Sequence, residues 1–264
     1  MLIRIWQKTV QDERIRVFVF QQLQDNYSYL VEIRSFAILI DPAESQEILT
    51  TIENENLQLK AILLTHYHDD HINGVKGILK HIGVQVIGPN HQEVDFVDSV
   101  VSNQEELIIG PFSITAIGTP GHTHNHLCYL LTEFKVLFTG DMLFPCGCGR
   151  IIEGTYTEML DSIKVLKALP KETYIFSGHE YSIENLNFAL SIEPHRQELK
   201  DRIKDIESKD HYPVPTTIGL ELELNPFFRT DDIDFRKALN LGSASELEML
   251  IKLRELKEKQ CSYE

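Results

Sequence analysis

Thr65-His66-Tyr67-His68-Asp69-Asp70-His71 puts three imidazoles and two carboxylates into six consecutive positions, 66 to 71. The apolar run Ala61-Ile62-Leu63-Leu64 just before it has the length of a buried strand, and from Ile72 onward apolar residues return at helical spacing. The cluster therefore occupies a strand-to-helix turn. Residues i and i+2 of an extended chain point to one side, so His66 and His68 converge. Asp70 and His71 open the helix and turn back toward them. Imidazole and carboxylate suit zinc, iron or manganese. The alternative is a polar turn that is rich in histidine for no chemical reason.

Working outward, residues 16–20, 27–33, 36–40, 60–64 and 84–87 read as strands, and 43–56 and 72–82 as helices. Two hairpins follow, 104–109 with 112–117 and 126–131 with 135–138. An amphipathic helix at 155–169 and a last strand at 173–176 complete this part. Residues 1–14 are an extension that adds an edge strand. Beyond Gly178 the segments 184–192, 196–209, 231–239 and 243–259 read as helices without strands, with breaks at 212–215 and 225–229. The expectation is an α/β body of two mixed sheets sandwiched by helices over residues 1–182, then an all-helical part over 183–264.

Three later positions repeat the setting of the first cluster. Gly121-His122, Gly140-Asp141 and Gly178-His179 each lie one to five residues past an apolar strand. Loops at strand ends commonly carry active sites in layered folds. The candidates are then His66, His68, Asp70, His71, His122, Asp141 and His179. Seven ligands exceed the three or four protein ligands of one zinc, so two metals are expected, with Asp141 as the shared carboxylate. Spacing alone does not choose among His122, His124 and His126; His122 follows its turn most closely. Asp41 is either an acceptor for a ligand imidazole N–H or an ordinary turn aspartate before proline. Asp69 is read as solvent-facing, and His81, His91, His195 and His211 as surface or structural.

The formal net charge of −15 over 264 residues argues against nucleic-acid or anionic-membrane partners. No apolar run approaches bilayer length, and Met1 to Trp6 is too short for a leader. A cytoplasmic monomer is expected. Cys146 and Cys148 are too close in sequence for an ordinary structural disulfide. An anionic substrate would need a local cationic patch on so acidic a chain.

The motifs taken together resemble the metallo-β-lactamase superfamily, and within it glyoxalase II, the hydroxyacylglutathione hydrolases. T-H-Y-H-D-D-H carries the superfamily. The narrower likeness rests on G-T-P-G-H-T at 118–123, T-G-D at 139–141, G-C-G-R at 147–150, E-G-T at 153–155, G-H-E-Y at 178–181 and N-P-F-F-R at 225–229. The spacing of Arg254 and Lys257 in the final helix adds to it. The resemblance implies an αββα metallo-β-lactamase-type sandwich with a C-terminal all-helical substrate-binding domain. It implies two divalent metal ions, zinc foremost, with iron or manganese as alternatives. His66, His68 and His122 would hold one, Asp70, His71 and His179 the other, and Asp141 both.

It also implies hydrolysis of S-D-lactoylglutathione and related S-2-hydroxyacylglutathiones to D-lactate and glutathione by a metal-bridging hydroxide, with Asp70 and Asp141 at the reacting centre. Arg150, Tyr181, Arg254 and Lys257 would contact glutathione, and the three cations supply the patch that the charge demands. Ile152 stands where some members carry a glutathione-contacting tyrosine, Met142 replaces a more usual polar residue, and the first dozen residues have no counterpart. A mononuclear-iron persulfide dioxygenase shares the scaffold but normally lacks the helical tail. A non-catalytic scaffold would not need seven ligands.

Overall fold

The computed structural model describes residues 1–90, 94–208 and 212–261, so His91 and His211 lie outside the described residues. The chain forms two compact units that interleave along the sequence. The first comprises Met1–Gly118, Asn125–Gly140 and Gly178–Glu180, and the second Thr119–His124, Asp141–Ser177 and Tyr181–Glu264.

In the first unit β1 (Leu2–Val10), β2 (Glu13–Gln22), β3 (Asn26–Ile33) and β4 (Phe36–Ile40) run antiparallel in sequence order. Helix α1 (Gln46–Asn54) then carries the chain over to β5 (Gln58–Leu63), which pairs parallel to β4 with Ile40 opposite Leu63. The short helices α2 (Asp69–Ile72) and α3 (Val75–Leu79) lead to β6 (Gln85–Gly88) and β7 (Ser99–Val100), also parallel. The sheet is mixed because hairpins can join only antiparallel neighbours, while parallel ones need a crossover. The extension read at 1–14 is β1, the sheet's edge strand. A second set of strands, β8 (Glu106–Ile109), β9 (Phe112–Gly118), β10 (Leu127–Leu131) and β11 (Val136–Gly140), is antiparallel throughout.

β3 is buried at every residue because it is covered on both faces. Leu30 joins the cluster of Phe18, Phe20, Ile62, Val75 and Ile78 under the helices. Its neighbour Tyr29 points the other way and packs on Phe138 of β11, ring centroids 5.3 Å apart. Each large apolar side chain so buried contributes roughly 1.5–3 kcal/mol. The helix expected over 72–82 is broken at Asn73-Gly74. There the Gly74 N–H donates to the Pro42 carbonyl at 2.8 Å. A Cβ on Gly74 would lie 2.7 Å from that oxygen, so only glycine permits this contact between the histidine turn and the end of β4.

The second unit contains β12 (Leu143–Phe144) and β13 (Gly147–Cys148), a small hairpin, followed by α4 (Tyr156–Lys167). Thr155 caps α4 with a reciprocal Thr155–Glu158 box, and Met159, Ile163 and Leu166 form its buried stripe. Then come β14 (Tyr174–Ser177), α5 (Ser182–Ile192), α6 (Gln197–Glu207), β15 (Thr216–Thr217) and α7 (Ile218–Leu224). A 3₁₀ turn at Pro226–Arg229, α8 (Ile233–Ala238) and α9 (Glu246–Cys261) complete it. The C-terminal part is thus helical apart from β15, which pairs with β14 through Tyr174↔Thr217 and Ile175↔Thr216. That two-residue strand contradicts the strand-free reading of the tail. Two residues are too short to carry a period. Among the described residues no helix is long and apolar enough to cross a membrane.

Candidate metal centre

β4 ends at Asp41, buried and at φ +46°, a left-handed conformation that aspartate tolerates better than most residues. Its carboxylate accepts from the Thr65 N–H at 2.8 Å and from the Thr65 hydroxyl at 2.6 Å, and lies 3.1 Å from His71 Nδ1. Asp41 is therefore a partner of a candidate ligand rather than a plain turn residue. The Thr65 hydroxyl has given its proton to Asp41, so it accepts from His66 Nδ1 at 3.0 Å. The Nε2 of His66 then faces His68 Nδ1, also at 3.0 Å. Gly140 (φ +45°) closes over this turn, and a Cβ there would meet Thr65 Oγ1 at 2.3 Å.

On the other side of the turn, His179 Nδ1 lies 2.7 Å from Asp25 Oδ1. Asp25 and Asp41 each hold the Nδ1 proton of an imidazole, which directs the two Nε2 atoms of His179 and His71 at one another, 3.3 Å apart. Asp70 Oδ2 lies 3.3 Å from the first and 3.7 Å from the second. The Asn26 side-chain amide donates to the same carboxylate at 2.8 Å and fixes its angle. His179, opposed by burial and aided by His71 and Asn26, holds the Asp70 carboxyl well below the usual carboxylate range. Two ring nitrogens and a carboxylate oxygen facing each other have at most one or two protons to share. A divalent cation satisfies all three, so the donor set fits a metal.

In the second unit His122 and Asp141 form a corresponding pair. His122 Nδ1 must donate to the Arg150 carbonyl at 2.7 Å, because a carbonyl only accepts. That leaves Nε2 as the ligating nitrogen, 3.5 Å from Asp141 Oδ2. Gly149 is where the chain passes over Asp141, and a Cβ there would overlap the Asp141 carbonyl at 1.9 Å.

The first unit thus brings together His66, His68, Asp70, His71 and His179, and the second His122 and Asp141. His124 is exposed, as is Asp69, whereas His126 is buried with its ring 5.2 Å from that of His66. Sequence reasoning missed Asp25, Asn26 and the packing role of His126. A turn motif one residue before a strand and a histidine at a strand's start carry no spacing signal. Of the expected glutathione contacts, Arg150 is exposed and Tyr181 half-buried, its ring edge-on to Phe144 at 5.2 Å. Arg254 and Lys257 are buried. Arg254 Nη1 donates to the Cys148 carbonyl at 3.1 Å, and Lys257 Nζ pairs with Glu184 at 2.7 Å.

Comparison with known proteins agrees with this chemistry. Residues 23–179 match the metallo-beta-lactamase superfamily, and residues 180–260 match the hydroxyacylglutathione hydrolase C-terminus. A hydroxyacylglutathione hydrolase of Rhizobium meliloti is 37% identical over 241 residues, 89% of this chain and 94% of its own length. That of Bartonella henselae is 35% identical over 242 residues, 89% of this chain and 96% of its own. Among solved structures, ETHE1 from Myxococcus xanthus superposes with a TM-score of 0.66 at 26% identity, covering 90% of this chain and 89% of that one. The chain belongs to the hydroxyacylglutathione hydrolase family of enzymes within the metallo-beta-lactamase superfamily.

Proposed function

We propose that this chain hydrolyses S-D-lactoylglutathione and related S-2-hydroxyacylglutathiones to D-lactate and glutathione, with two divalent metals. His66, His68 and His122 would hold one metal, Asp70, His71 and His179 the other, and Asp141 would serve both. The observation that carries the reading is that Asp41, Asp25, Thr65 and the Arg150 carbonyl each take the Nδ1 proton of a ligand histidine and leave Nε2 for a metal. The match of residues 180–260 to the hydroxyacylglutathione hydrolase C-terminus supports the substrate class.

Divalent ions bound there would supply a hydroxide nucleophile near neutral pH and Lewis-acid polarisation of the thioester carbonyl. The chain's own part is orientation. Asp70 and Asp141 bring anionic oxygens to the reacting centre, and Asn26 keeps Asp70 from rotating away. The exposed Arg150 and half-buried Tyr181 meet the glutathione moiety, and Lys257 meets one of its carboxylates in exchange for Glu184. A thiol with a pKa of about 8.5 leaves without a strong general acid. The family's C-terminal part, residues 183–264, is the substrate-binding half of this reading.

The test is a thioesterase assay on S-D-lactoylglutathione with protein of measured metal content. Turnover that rises with metal up to about two ions per chain is expected from a shared-carboxylate site. One iron per chain with oxygen consumption on a persulfide would overturn the reading in favour of a dioxygenase. Full metal loading without thioester turnover would remove the substrate assignment.

A further inference from the structure

Within the second unit, the loop that connects Asp141 to Arg150 is fastened at each of its last five residues. The Cys146 N–H donates to Glu221 at 2.7 Å, and the Gly147 carbonyl accepts from Asn225 Nδ2 at 3.0 Å. The Cys148 carbonyl accepts from Arg254 at 3.1 Å, and the Gly149 N–H donates to the Met142 carbonyl at 3.3 Å. The Arg150 carbonyl accepts from His122 at 2.7 Å.

The first two fastenings pass through one carboxylate. Glu221 Oε2, besides the Cys146 amide, accepts from Asn225 Nδ2 at 2.9 Å, and Oε1 accepts from the Thr216 hydroxyl at 2.6 Å. Glu221 lies in α7 and is 1% exposed. A buried carboxyl with three donors and no ion pair among the described residues is costly to keep, so it is expected to serve something. Cys146 is at φ +58°, a conformation that residues other than glycine adopt only when their surroundings impose it. Its amide is aimed at Glu221 by that turn.

We propose that Glu221 is a positioning residue for residues 145–150. By holding the Cys146 amide and the Asn225 side chain, it sets the backbone that ends at the Arg150 carbonyl. That carbonyl in turn fixes the tautomer of His122 and presents Nε2 beside Asp141. Glu221 touches no substrate and acts only through this loop. Its consequence for metal binding rests on the binuclear reading above, while its consequence for the loop does not.

The proposal is tested with Glu221→Gln and Glu221→Leu, followed by amide hydrogen exchange and metal titration. A glutamine keeps one oxygen for the Cys146 amide and Asn225, and turns its NH₂ to the Thr216 hydroxyl, which then accepts. Exchange across residues 142–150 should stay within about twofold of wild type in Glu221→Gln. Leucine fills the space but accepts nothing. The Cys146 amide should then exchange at least about tenfold faster, the scale of leaving one buried amide without its acceptor, while residues 26–33 stay protected. Metal affinity should fall by about tenfold in the leucine variant and recover with glutamine.

Wild-type exchange at Cys146 in Glu221→Leu overturns the proposal, and so does Glu221→Gln exchanging as fast as Glu221→Leu. If Glu221→Leu does not fold, Thr216→Val, which frees only Oε1, should speed the same amide by several-fold; unchanged exchange there also overturns it. A wild type that binds no metal would sink the binuclear reading and leave the exchange comparison standing.

Discussion

At the scale of single residues, the candidate centre is shaped by groups outside its expected ligand set. Asp41 serves Thr65 twice and His71 once, so it sets the backbone of the histidine turn and the tautomer of a ligand together. Asp41→Asn keeps the shape but offers an amide where two donors now converge. Metal affinity should fall about tenfold to a hundredfold, read by chelator competition. Asp69→Ala, at an exposed position next to Asp70, should change it by less than about twofold, the ordinary effect of a surface substitution. A loss at Asp69 matching that at Asp41 would mean the wrong carboxylate of the pair had been assigned. Glu221 makes a prediction about pH. Burial pushes its carboxyl up to about 7 from an ordinary 4.5, against the opposing pull of Thr216, Asn225, the Cys146 amide and the charge of Arg202. Between those two values the native chain keeps a proton that the unfolded chain has released. Its contribution to stability is full below about pH 4.5 and is lost as pH rises through about 7. Glutamine has no such proton, so Glu221→Gln should gain on wild type across that window by on the order of 3 kcal/mol. Urea unfolding of both proteins at pH 5 and pH 8 measures it, and parallel pH profiles would rule it out.

Elements show which signals a sequence can carry. The helix read at 155–169 survives as α4 because its apolar period and its capping box act locally. The candidate ligand positions stand out in the sequence for a similar reason: each follows an apolar strand that declares its own end. By contrast Ile218-Gly219-Leu220-Glu221-Leu222-Glu223-Leu224 alternates apolar and acidic like an exposed strand, yet it forms α7 and buries Glu221. Its donors Thr216 and Asn225 are near in sequence, but the third, the Cys146 amide, is 75 residues away, and no local pattern reports it. The break at Gly74 depends equally on a remote carbonyl, that of Pro42. The resemblance implies that Arg254 and Lys257 of the last helix, α9, both meet glutathione, and their contacts within the chain differ. Arg254 holds the Cys148 carbonyl through Nη1 and has Nη2 3.6 Å from Glu258, whereas Lys257 pairs with a half-exposed Glu184. Lys257→Ala should therefore raise KM for S-D-lactoylglutathione by about tenfold with kcat changing less, as expected for uniform binding. Arg254→Ala should instead lower kcat and metal retention together, because it releases the loop two residues before Arg150. Identical KM-only effects in the two variants would show that Arg254 serves the substrate and not the loop.

For the whole molecule, the candidate ligands come from four strand ends scattered between His66 and His179, so a metal held by them would tie together chain segments that unfolding would separate. Anything that binds the native state and not the unfolded one adds RT ln(1 + [L]/Kd) to stability, about 2.7 kcal/mol at a hundredfold excess over Kd. For a chain of this size that corresponds to a rise in Tm of roughly 5–10 °C. Removing metal with a chelator should lower Tm by that amount, and adding zinc back should restore it. Asp141→Asn distinguishes a metal effect from a general effect of the chelator. The substitution keeps the side chain's volume at a buried position and removes the anionic oxygen that stands 3.5 Å from His122. If Asp141 serves both ions of the proposed site, the chelator-induced fall in Tm should shrink to less than about half, since affinity enters as a logarithm and each tenfold loss removes about 1.4 kcal/mol. The metal-free midpoints of the two proteins should lie within a few degrees, the range expected of an isosteric change. An unchanged chelator response in Asp141→Asn would mean that the stabilising metal does not depend on this carboxylate, and the shared-ligand arrangement would have to be abandoned.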